Sequence, residues 1–173
     1  MTLRSSFSSK IQFFTTCKAF VGEAALHQRN GLTSCKLLDL DLVLLGNDEG
    51  TQEIAEEFGF RHIPQVPVTD NNIPTISGLF ETAAAASSAP YLAYINSDIL
   101  LTPMILPILS YIGSQEKGQK QLWTARRRNI PVSVAYSPSS FFTEIYKLDD
   151  KYGSWDQPNA IDMFISTWAL SES

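Results

Sequence analysis

Residues 91–100 read Tyr-Leu-Ala-Tyr-Ile-Asn-Ser-Asp-Ile-Leu, an apolar run that stops at a polar triplet ending in a carboxylate. A short apolar stretch without polar alternation marks a strand covered on both faces, as in a parallel sheet. The alanine-rich stretch 76–88 before it reads as a helix, stopped by Pro90. Behind it, Pro103 suits the first turn of another helix, running to about Ile112.

The same alternation continues outward. Ile11 to Thr15 reads as a strand, and 20–29 as a helix that stops at Asn30-Gly31. Leu42 to Leu45 is a second buried strand, ending in the turn Gly46-Asn47-Asp48-Glu49-Gly50. Asp48 or Thr51 can cap a helix through Phe58, closed by Gly59, before a short strand over 60–63. Downstream, 122–125 and 160–165 read as strands and 140–147 as a helix. Strands alternating with helices predict an α/β fold with a mainly parallel sheet covered on both faces. In such sheets ligands bind beyond the carboxyl ends of the strands, so the polar residues that follow each strand are the candidates for function.

At 173 residues and 44% hydrophobic, the chain predicts one domain over 11–173, preceded by a flexible serine-rich segment, 1–10. A net charge of -5 argues against binding nucleic acid or a membrane surface through broad positive charge. No run of about 18 uncharged apolar residues is present to span a bilayer. Nor does a signal-peptide pattern follow the N-terminus, so a soluble, cytoplasmic protein is the default expectation. Two cysteines, Cys17 and Cys35, make neither a disulfide framework nor, with only two histidines, a structural zinc site.

Asn96-Ser97-Asp98 is the strongest local signal. A carboxylate at a strand's end can hold Mg²⁺ or Mn²⁺, which take oxygen ligands and keep places for water and phosphate oxygens. Asp98 is the expected metal ligand, and Asn96 offers a neutral carbonyl oxygen to metal, ribose or water. The structural alternative is that Asp98 caps the next helix. Asp48 can accept hydrogen bonds from a nucleobase or ribose, or serve only its turn. Thr15 or Thr16 can meet the base or ribose, and Lys18 a phosphate. In Arg126-Arg127-Arg128, one guanidinium can clamp a diphosphate, while strand alternation sends neighbours to opposite faces. Asp162 is the candidate general base, and Trp155 a platform for a sugar ring. Cys17 lacks partners for a thiol nucleophile, and His27 and His62 read as structural.

Taken in order, FFTTCKAF (13–20), LLGNDEGTQEIAEEFGFRHIP (44–64), YLAYINSDIL (91–100) and AIDMFI (160–165) resemble a glycosyltransferase-like family of the GT-A, nucleotide-diphospho-sugar transferase fold. That resemblance implies a Rossmann-like three-layer α/β/α sandwich, a nucleoside-diphospho-sugar donor, and a divalent metal at an Asp-x-Asp position occupied here by Asn96 and Asp98. It also implies a nucleoside contact at Asp48 and Thr15 or Thr16, and Arg126-Arg127 after Trp123 resembles the family's next strand. Asn96 in place of the first Asp lowers the negative charge at the metal and leaves Asp98 most of the binding. Relatives of this fold usually continue past the strand at 160–165, so a C-terminal truncation is an expectation. The leading expectation is metal-dependent transfer of a sugar to a hydroxyl acceptor, and the alternative is a non-catalytic nucleotide- or protein-binding domain. Nucleotidyl transfer is a third reading, marked by pyrophosphate release.

Overall fold

The computed structural model describes residues 10–115 and 120–167. Six strands form one sheet: β1 (Ile11–Thr16), β2 (Leu42–Leu45), β3 (Arg61–Ile63), β4 (Tyr91–Ile95), β5 (Leu122–Arg126) and β8 (Ile161–Thr167). Strands β6 (Arg128–Asn129) and β7 (Ser154–Trp155) pair separately as an antiparallel ribbon. The helices are α1 (Gly22–Leu37), α2 (Thr51–Phe58), α3 (Ile76–Ala85), α4 (Ile105–Ser114) and α5 (Phe141–Tyr152).

The sheet order is β3-β2-β1-β4-β8-β5. Strands β1, β2, β3 and β4 run parallel, whereas β8 runs antiparallel between β4 and β5. The expected mainly parallel α/β sheet is therefore present. Alternate residues of the central strands face opposite layers. Phe13, Leu42, Leu44 and Ile95 pack with Leu32 of α1, Ile54 of α2 and Leu109 of α4. Phe14, Val43, Leu45 and Leu92 pack with Leu79, Ala83 and Ala84 of α3 on the other side. Burial on both faces explains why β2 and β4 carry apolar residues without alternation.

Several boundaries differ from expectation, for local reasons. Helix α1 does not stop at Asn30-Gly31 but continues to Leu37. Gly31 is there for proximity: a Cβ at this position would lie 2.1 Å from the Ser97 carbonyl oxygen. Asn30 is buried and ties α1 to the 134–136 segment, donating to Val134 O at 2.9 Å and accepting from Tyr136 N at 3.2 Å. Neither Asp48 nor Thr51 caps α2. Its N-cap is Gly50 at φ 84°, without a side-chain cap, and Gly59 closes the helix as expected. Helix α5 extends five residues beyond the predicted Lys147, to Tyr152. Residues 1–9 of the expected N-terminal segment lie outside the described residues, and Lys10 is anchored by Nζ donating to Gly113 O at 2.6 Å.

Candidate functional site at the carboxyl edge of the sheet

The connection from β1 leads to β2 on one side, while β4 lies on the other, so the chain diverges between the ends of β1 and β4. Such a divergence opens a crevice beyond the strand ends. Phe14 pairs with Tyr94, and continuing this register sets Thr16 level with Asn96. Leu45 pairs with Thr16, which brings the Gly46–Gly50 turn and Asp48 to the same edge. On the far side Asn96 N donates to Asp162 O at 3.0 Å, and β5 delivers Arg126 opposite Ile161 across a bulge. One sheet edge thus gathers Thr16, Asp48, Asn96, Asp98, Arg126, Arg127 and Asp162.

Within this edge the candidates differ in freedom. Thr15 is fully buried, its hydroxyl donating to Thr16 O at 3.2 Å, so of the two threonines only Thr16 reaches the crevice. Asp98 and Asp48 are exposed. Asp98 does not cap α4, which starts at Ile105 behind Met104 with no side-chain cap. Among the described residues the Asp98 carboxylate has no hydrogen bond or ion pair, and the Asp48 carboxylate has none either. Tyr94 of β4 packs against the α3 side of the sheet and reaches Thr16. Burial raises its phenol pKa, a hydrogen bond with Thr16 opposes this, and the charges of Asp98 and Asp162 add to the rise.

Asn96 and Asp162 are committed to each other. Asn96 Nδ2 donates to Asp162 Oδ1 at 2.7 Å, while Arg127 NH1 donates to Oδ1 at 3.1 Å and to Oδ2 at 3.0 Å. Arg127 also reaches Asp156, Nε donating to Oδ2 at 2.7 Å. Asp162 is 9% exposed, and this pairing meets the requirement that a buried carboxylate be charge-compensated. Arg126 and Arg128 both stack on exposed Trp155, with ring-centroid distances of 5.4 and 5.0 Å. Arg127 thus has carboxylate partners that Arg126 lacks, but both reach Asp156 and all three arginines border the same space, so the expected parting onto opposite faces is not found; Trp155 carries guanidinium groups.

Ser97 is fixed by a residue to which no sequence signal pointed. Gln28 of α1 is 2% exposed, and its Oε1 accepts from Ser97 Oγ at 2.9 Å and from Lys18 N at 2.7 Å. Its Nε2 donates to Lys18 O at 3.0 Å. The helix thus holds the turns after β1 and β4 together. A glutamine in mid-helix carries no mark of that role in one sequence. Cys17 lies beneath this contact, where burial pushes its thiol pKa up to about 12. It is accordingly no nucleophile at neutral pH.

The oxygen donors fit a hard divalent cation shared with a ligand better than one held by protein alone. Among the described residues no group of three or more His, Cys, Asp and Glu converges. Asp98 supplies a free carboxylate, and Asn96, whose Nδ2 is engaged, leaves Oδ1 available. Mg²⁺ and Mn²⁺ are commonly bound by one or two protein oxygens together with substrate phosphates.

No protein-family model matches the chain, and no curated protein matches it in sequence. Among solved structures it is similar to glucosyl-3-phosphoglycerate synthase of Mycobacterium tuberculosis, at TM-score 0.47 and 20% identity over 69% of this chain and 47% of that one. The same enzyme in complex with uridine diphosphate gives TM-score 0.47 and 21% identity, covering 68% of this chain and 45% of that one. Its complex with Mg²⁺ and uridine diphosphate gives TM-score 0.46 and 19% identity over 69% and 46%. The chain spans about half the length of these proteins. The likeness concerns the chain path and assigns no ligand here. Among the described residues no helix is long and apolar enough to cross a membrane.

Proposed function

We propose that this chain forms the donor-binding part of a metal-dependent glycosyltransferase, which moves a sugar from a nucleoside-diphospho-sugar to a hydroxyl acceptor. One observation carries the reading: Asp98 presents an exposed, uncommitted carboxylate where the β1 and β4 connections diverge. In this reading Asp98 and Asn96 Oδ1 hold Mg²⁺ or Mn²⁺ jointly with the diphosphate. The ion would supply charge neutralisation of the departing nucleoside diphosphate. Thr16 and Asp48 face the nucleoside from the ends of β1 and β2. Arg127 is already paired twice, which leaves Arg126 as the guanidinium whose charge no described carboxylate meets. The ordered sequence resemblance supports the same assignment.

A second reading has its own observation. Asp162, the candidate general base, is held by Arg127 and Asn96 rather than open to an acceptor hydroxyl. A domain that binds a nucleotide without transferring sugar would tolerate that commitment.

Calorimetric titration with nucleoside diphosphates and nucleotide-sugars, with Mn²⁺ and then with chelator, tests the donor site. Metal-dependent binding that disappears in Asp98→Ala is the expected result, and binding unchanged by that substitution sinks the assignment. Donor turnover in the presence of hydroxyl compounds then separates the transferase from the binding-only reading.

A further inference from the structure

Beside Asp98 lies an open cavity of about 680 Å³, between the 98–105 segment, the β5–β6 arginines and α5. Its size suits a small molecule. The wall is largely apolar, with Ile99, Leu101, Ile130, Val132, Ile145 and Met163 among its residues. Three carboxylates and three arginines also reach it, and their pairing decides what it can hold. Arg127 is met by Asp156 at 2.6 Å and Asp162 at 3.0 Å, and Arg128 by Asp149 at 2.6 Å. Two charges remain without a described partner of opposite sign: Asp98 and Arg126. The Arg126 guanidinium is oriented by Nε donating to Asp156 O at 2.8 Å and by the Trp155 ring, neither of which cancels its charge.

We infer that this cavity is the acceptor site, and that it takes a small hydroxyl compound with an apolar or aromatic body and one anionic group, received by Arg126. The inference rests on the donor reading for the word acceptor, and on the cavity alone for the ligand's chemistry. A sugar or polyol would set most of its hydroxyls against the Ile, Leu, Val and Met wall, at a desolvation cost, with Asp98, Thr102 and Asn129 to pair only a few of them. An apolar body removes that wall from water, and a planar guanidinium fork matches a carboxylate or phosphate oxygen pair. Arg126 can neutralise an acceptor's anion or a donor phosphate, not both. The two roles therefore compete, and the test separates them.

The probe is 3-(4-hydroxyphenyl)propanoate, titrated by calorimetry without metal or nucleotide. It is compared with its neutral amide, its phosphonate counterpart and lactate, an anion of little apolar surface. The propanoate is expected to bind about tenfold or more tightly than the amide, as removal of a charge-assisted bond predicts. Lactate should not bind measurably, and the phosphonate arm shows which anion the fork prefers. Arg126 is exposed, so Arg126→Gln is expected to fold; it should abolish the preference for the propanoate while leaving amide binding intact. Met104→Glu, at an exposed position of the wall, should weaken the anion more than the amide. Equal affinity for propanoate and amide, no binding of either, or a preference unchanged in Arg126→Gln overturns the inference. Competitive displacement of the probe by uridine diphosphate with Mn²⁺ also overturns it, because the cavity would then belong to the donor. Failure of nucleotide binding with the probe still bound would instead remove the donor reading and leave the cavity's ligand class standing.

Discussion

The side-chain amide of Asn96 donates to the carboxylate of Asp162 at 2.7 Å, and this contact requires a donor at position 96. An aspartate there would set two carboxylates against each other, and like charges in contact cannot both remain ionised cheaply. Asn96→Asp, which restores the Asp-x-Asp pattern on paper, is therefore expected to weaken Mn²⁺-dependent nucleotide binding at pH 7. Folding stability should fall by about 1–2 kcal/mol, with the loss receding on acidification as a shared proton replaces the amide N–H. Denaturant titrations of both proteins at neutral and acid pH check this. Tighter binding in the variant would contradict it.

Arg127 joins Asp156 and Asp162, so its removal leaves one largely buried carboxylate without its cation. Arg127→Met is expected to cost about 2 kcal/mol, below the range for fully buried pairs because the arginine side chain is 40% exposed. The Gln157 backbone N–H first, and then Arg127, hold the Asp156 carboxyl below its ordinary pKa. A carboxylate depressed in the folded state stabilises above its unfolded value and loses that contribution as pH falls through the folded one. Arg127→Met should accordingly flatten the acid limb of the stability–pH curve below about pH 4.

Gly31→Ala tests helix packing against propensity. Alanine favours a helix interior by about 1 kcal/mol over glycine, but here its Cβ would meet Ser97 O at 2.1 Å and Ile99 O at 3.1 Å. We expect a net loss of about 2 kcal/mol or more, from overpacking against backbone that has little room to yield. The 97–99 turn would shift, carrying Asp98 with it. Chemical denaturation together with nucleotide titration reads both effects, and a stabilised variant would show that the contact is not maintained.

Cys17 and Cys35 are both buried, and burial raises each thiol to about 12 from an ordinary value of 9.0. Iodoacetamide at pH 8 should leave both unmodified in the folded protein and alkylate both after denaturation, as mass spectrometry would record. The linkage sign follows: a thiol raised in the folded state contributes stability fully present below the unfolded pKa. That contribution declines as pH climbs from about 9 towards 12. Rapid modification of Cys17 in the native protein would disprove its burial.

The sheet was legible because its strands are written in local chemistry. Apolar runs at Leu42–Leu45 and Tyr91–Ile95, each ending in polar turn residues, determine buried strands and put Asp48 and Asp98 at strand ends. Other features depend on partners distant in sequence. That β8 runs antiparallel between β4 and β5 follows from strand pairing and leaves no mark in residues 161–167. Gly31 and Asn30 look like a helix stop until Ser97 and the 134–136 segment are placed against them. Likewise Thr15 and Thr16 are chemically identical in sequence, and only burial on the two-sided sheet closes the first and opens the second to the crevice. Sequence alone therefore determined the α/β alternation and the residues at the strand ends. Tertiary structure decided which of their charges are paired, because Asp162 and Arg127 meet 35 residues apart, whereas Asp48, Asp98 and Arg126 are left without an opposite charge among the described residues.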